Sequence, residues 1–82
     1  MVTNKYQTKL AYAEAQSIYV TASTEVIKYE HCKYRLGQAI WNLLPVSVAE
    51  QHRYGLTDFF CWVDEQKVLD CFFSEHYIDY SL

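Results

Sequence analysis

Cysteine and histidine are the side chains of this sequence best suited to chemistry, so their spacing is the first test. Metal binding or a thiol nucleophile are the two reactions they offer. The chain has three of each. His31 and Cys32 are neighbours. On a helix they point about 100° apart and do not chelate one ion together. Cys61 and Cys71 stand ten residues apart, unlike the closely spaced pairs of structural zinc sites. A composite site of Cys61, Cys71 and His52 has no motif behind it. Cys71 and His76, five apart on one helix, are too far round the turn for a good thiol–imidazole hydrogen bond. No glycine-framed nucleophile turn accompanies them. The adjacent acids Asp64 and Glu65 sit where a helix should begin, and capping accounts for them. The sequence therefore predicts no catalysis and no cofactor, because no base, nucleophile and oxyanion donor occur together.

Binding chemistry is better represented. The cations Lys28, Lys33, Arg35 and Arg53 form no stripe, and no phosphate-cradling glycine loop is present. Charge is instead divided along the chain. Residues 1–55 hold six Lys and Arg against four Glu, a net +2, whereas residues 56–82 hold Lys67 against six acids, a net -5. That last third repels nucleic acid and attracts basic protein surfaces. The chain also carries eight Tyr, four Phe and two Trp within 82 residues, more aromatic surface than so small a domain readily buries. Tyr and Trp in excess of core needs are the compositional mark of interfaces. The predicted partner-binding face is thus acidic and aromatic: Trp62, Asp64, Glu65, Asp70, Glu75, Tyr77, Asp79 and Tyr80. Homodimerisation is a second way to cover the same aromatics.

These residues need elements to position them. Two Gly and one Pro disfavour both a turn-rich β fold and disorder. The apolar spacing predicts one small domain, a compact bundle of about four helices over approximately 6–20, 24–44, 48–54 and 65–77. An aromatic-rich connector, 56–64, should fold back over the core. The SIYVT stretch (17–21) is β-branched but has no second strand to pair with, so it is read as helix. Thr21–Thr24 reads as a polar break supplying a cap. Ser47 and Glu50 match a capping box. Gly55 suits the left-handed residue closing the third helix. Gly37, inside the second helix and four residues before Trp41, is predicted to mark the packing centre, where something approaches the bare backbone. No segment has the roughly 20 consecutive apolar residues of a membrane span. The N-terminus lacks the apolar core of a signal peptide, and three unpaired cysteines fit a reducing cytoplasm.

Arg35, Gly37, Gln38, Ala39, Asn42, Leu44 and Pro45 spell an R-x-G-Q-A-x-x-N-x-L-P helix, and after a short acidic helix come a D-x-F segment at Asp58 and Phe60 and a final V-x-x-F-type helix with Val68 and Phe72. Over residues 33–77 this resembles a class of small helical proteins encoded by phages, prophages and plasmids. It departs from that class at HRYGLTDFF, which lacks the class's turn proline. The resemblance carries over no catalytic residues. It implies a factor that binds and blocks a host protein, with counter-defence against restriction or CRISPR complexes as the sharper form. There the acids would occupy a basic nucleic-acid groove. The alternatives are a structural or regulatory homo-oligomer and, behind it, a DNA-binding regulator.

Overall fold

A computed structural model describes residues 8–29 and 34–81. The His31–Cys32 pair, Lys33 and the first residues of the 6–20 helix lie outside them. The described chain is mostly helical: α1 (Tyr12–Lys28), α2 (Leu36–Leu43), α3 (Val46–His52) and α4 (Glu65–Phe72).

The helix boundaries shift from the sequence expectation for identifiable reasons. α1 runs straight through Thr21–Thr24. Thr24 does not cap; its hydroxyl donates to the Val20 carbonyl 3.1 Å away, the back-bond that lets threonine sit inside a helix. Continuing the helix also buries Ala22 completely. The helix opens with the Glu14 carboxylate accepting the Ala11 N–H at 3.0 Å, an acid at the positive end of the dipole. It closes at Tyr29, whose N–H donates to the Glu25 carbonyl.

α3 begins one residue before the serine expected to cap it. Pro45 occupies the cap position, and its carbonyl accepts from Val48 and Ala49 at 3.0 Å each. Ser47 is therefore inside the first turn with no capping bond, and Glu50 is exposed. The side-chain cap forms at α4 instead, where Asp64 Oδ1 accepts from Gln66 N at 3.0 Å and Lys67 N at 3.3 Å. That helix ends at Phe72 rather than near Tyr77. Ser74 takes over the chain direction through its hydroxyl, which donates to the Cys71 carbonyl and accepts from His76 N. The turn that follows delivers Ile78 beside Leu10. There Leu10 N donates to the Tyr77 carbonyl at 2.8 Å and Asp79 N to the Leu10 carbonyl at 2.9 Å, a single parallel bridge tying the two ends of the fold. Leu10, Tyr77 and Ile78 are all buried.

Phe59 is the centre of the core. Its ring lies 5.4 Å from Trp41, 5.1 Å from Tyr77, 6.0 Å from Phe72 and 6.3 Å from Trp62, mostly edge-on or tilted, the geometries that aromatic quadrupoles favour. The aromatic connector does fold inward, but by one residue in particular. Gly37 on α2 makes room for it: a Cβ there would fall closer than 3.0 Å to the Phe59 carbonyl oxygen and 3.3 Å from Val68 Cγ2. The approaching group is thus the backbone of the connector. Small buried residues serve the neighbouring contact too, with Ala15 and Ala22 of α1 and Ala39 of α2 almost fully enclosed. Among the described residues, no helix is long and apolar enough to cross a membrane.

Candidate interaction surface

The loop between α3 and α4 is where the chain turns apolar residues outward. α3 ends at His52, and Tyr54 takes the left-handed conformation with φ of 62°. Gly55, the residue expected there, has no positive φ. A single carboxylate holds the turn: Asp58 Oδ2 accepts from Tyr54 N at 2.8 Å, and Oδ1 accepts from Phe60 N at 3.1 Å. With Phe59 drawn into the core, its loop neighbours are carried to the surface. Tyr54 is 93% exposed, Leu56 97% and Val63 76%. An exposed leucine alone is ordinary, but this one short loop exposes three large apolar residues.

The loop is anchored from below. The Thr57 carbonyl accepts from the Tyr77 hydroxyl at 2.5 Å and from the Cys71 thiol at 3.7 Å. The Thr57 hydroxyl pairs with His52 Nδ1 at 2.5 Å, and the His52 ring stacks on Tyr77 with centroids 3.9 Å apart. Burial pushes the Cys71 thiol and the Tyr77 phenol above their ordinary values, and it lowers that of His52. Each group is thereby held neutral. A nucleophilic cysteine needs the opposite shift, toward thiolate. The cluster is built as a latch under the loop.

Trp62 forms a half-buried ridge between two grooves. One, of about 500 Å³, is lined by Trp41, Arg53, Tyr54, Asp58, Phe60 and Trp62, with Gly55 and Cys61 completing it. The other, of about 440 Å³, lies between Leu56, Trp62, Lys67, Asp70, Cys71 and His76. Of the residues expected to bind a partner, Trp62 and Asp70 share this second groove. Asp64 and Glu65 are exposed at the start of α4, Asp64 with one oxygen committed to its cap. Glu75 is exposed in the turn after α4. Asp79 is engaged by Ser81, whose hydroxyl and N–H donate to it and hold its carboxyl below the usual range. Tyr80 lies away from Trp62, against the Tyr12 ring at 5.8 Å, with its hydroxyl donating to the Phe73 carbonyl.

Tyr77 is a correction: it is fully buried and cannot anchor a partner. Its position just past the acidic helix suggested exposure, but the Leu10–Ile78 bridge turns it inward. Tyr54, Leu56 and Val63 went unpredicted. The available signal was steric: of Tyr54, Leu56, Phe59, Phe60, Trp62 and Val63, one turn cannot send every side chain into the same small core. Of the cations, Arg53 edges a groove, Arg35 is exposed at the cap of α2, and the Lys28 ammonium sits 5.4 Å over the Tyr29 ring. Among the described residues, no three His, Cys, Asp or Glu side chains are grouped to hold a metal ion. No family model, no curated protein and no solved structure matches the chain.

Proposed function

We propose that the protein is a non-catalytic binding factor that docks on a host protein through loop 53–64 and blocks the surface it covers. The carrying observation is the exposure of Tyr54 and Leu56, at 93% and 97%, on a turn pinned at both sides by Asp58. A loop already ordered loses little entropy on binding. A left-handed non-glycine residue is a local strain of the kind that gathers at functional sites. Apolar residues from this loop would fill a pocket on the partner. Asp64, Glu65 and Asp70 would form an acidic rim that favours a partner whose pocket is edged by Lys and Arg.

A basic-edged surface is also what a nucleic-acid-handling complex offers. The counter-defence target, the mobile-element origin and the cytoplasmic setting belong to the same proposal and draw on the resemblance of residues 33–77. Tagged wild-type protein and the Leu56→Asp variant test it in lysate of the host cell. A protein retained by the wild type and lost with Leu56→Asp, at unchanged far-UV circular dichroism, is the expected result. Equal retention by both places the binding elsewhere and refutes this reading.

A further inference from the structure

Loop 53–64 leaves a second apolar surface unexplained, on α1. A surface helix ordinarily opposes its buried stripe with a charged face. α1 does not. Its charged residues, Glu14, Glu25 and Lys28, fall on one narrow arc, because separations of eleven and three residues return to nearly the same side of a helix. The buried side is marked by Ala15 and Ala22. What remains is an uncharged outward face running through Tyr12, Gln16, Val20, Ser23 and Ile27 at steps of three and four. Val20 is 63% exposed and Ile27 73%. The helix spans 17 residues, or roughly 25 Å.

This face has a ridge at one end and a groove at the other. Ile27 makes the ridge in the C-terminal half. The groove, of about 440 Å³, lies in the N-terminal half, between Tyr12, Gln16, Tyr19, Val20, Leu69 and Phe73. Its walls are rings: Phe73 lies 6.0 Å from Tyr12 and 5.9 Å from Tyr19. Tyr80, 54% exposed, extends the Tyr12 side.

We infer that the occupant of this face is a second copy of the chain, packed α1 against α1 and antiparallel about a two-fold axis near Val20. A two-fold interface requires a patch that complements itself. Ridge and groove at opposite ends of one helix meet that requirement. Rotation about Val20 sets Ile27 of each copy against residue 13 of the other, between Tyr12 and Gln16 and into the groove. The charge argument points the same way. An uncharged face gains nothing from an acidic or basic partner, and an identical uncharged face leaves no ion unpaired when it is buried. The area is that of a weak, reversible association. Taking a fully exposed large side chain as about 150–250 Å², Tyr12, Val20, Ile27 and Tyr80 expose on the order of 400 Å². That is about half of what one partner contributes to a standard interface. The dimer uses the Leu69 and Phe73 side of α4, whereas Lys67 and Asp70 line the groove beside Trp62. Both loops therefore stay free, and the assembly presents them as a pair.

Sedimentation equilibrium over a wide concentration range tests this independently of any host protein. The wild type is expected to dimerise reversibly. Ile27→Glu and Ala13→Lys alter exposed positions, so far-UV circular dichroism should be unchanged, while each should weaken the dimer by about tenfold or more by burying an unpaired charge. The double variant Ala13→Lys with Ile27→Glu places opposite charges face to face in the antiparallel register and should recover most of the loss. A wild type that is monomeric at every concentration overturns the inference. So does a dimer indifferent to both single variants, or one the double variant fails to restore.

Discussion

Replacing Gly37 by alanine probes the packing centre most sharply. At an exposed helix position the exchange is stabilising by up to about 1 kcal/mol, since alanine is the better helix former. Here the new methyl would lie closer than 3.0 Å to the Phe59 carbonyl oxygen and 3.3 Å from Val68 Cγ2. The obstacle is main chain, and its ring is locked among Trp41, Trp62, Phe72 and Tyr77. It cannot swing aside as a flexible side-chain end would. Overpacking of this kind costs about 1–3 kcal/mol, and the rigid obstacle places it at the upper end. With the helix gain deducted, the net loss is about 2 kcal/mol. For a domain of this size that lowers Tm by roughly 10–15 °C. Urea unfolding followed by tryptophan fluorescence measures it as a lower midpoint at unchanged slope. A Gly37→Ala variant as stable as the wild type, or more so, would refute the packing argument.

Other expectations follow from single observations. Tyr54→Gly should stabilise the fold by about 1 kcal/mol, because glycine takes the left-handed conformation without the Cβ penalty and the tyrosine ring, 93% exposed, gives up no packing; thermal unfolding reads the gain. Asp64→Ala should cost about 1 kcal/mol through loss of the α4 cap, while Ser47→Ala, without a capping bond to lose, should stay within about 0.5 kcal/mol; parallel urea titrations compare them. Acid should weaken the fold through His52, whose pKa burial holds below 6.5. Above that value the ring is neutral in both states. Below it the unfolded chain takes up the proton first, so stability falls as pH falls toward the folded pKa. The wild type should therefore lose urea resistance as the pH is taken below about 6.5, and His52→Gln should flatten that slope.

The helical class of this fold is legible from periodicity and from the scarcity of glycine and proline. Its boundaries are less so, because they depend on which of several competing local bonds wins. Thr24 can cap a helix or bond back within one, and only the burial of Ala22 favours the second. Ser47 satisfies the capping pattern, yet the Pro45 carbonyl starts the helix first. Gly55 is the obvious left-handed residue, but Asp58 binds the N–H of Tyr54 and fixes that residue instead. The candidate surface follows the same logic. Trp62, Asp64, Glu65 and Asp70 were accessible from composition and charge. Exposure of Tyr54 and Leu56 was not, because it results from the Phe59 backbone reaching Gly37, a contact between residues 22 apart in sequence. Burial of Tyr77 depends on the bridge between Leu10 and Ile78, which no local pattern announces.

The central claim is that loop 53–64 carries partner binding. The most direct measurement is the affinity of the captured host protein for three variants: Leu56→Ala, Trp62→Ala and, on the α1 face, Ile27→Ala. Truncating a residue at the heart of an interface costs about 2 kcal/mol or more, a loss of roughly thirtyfold. Leu56→Ala and Trp62→Ala should each show such a loss while Ile27→Ala binds the host protein nearly as the wild type does. Undiminished binding by both loop variants, or a loss confined to Ile27→Ala, would contradict the claim.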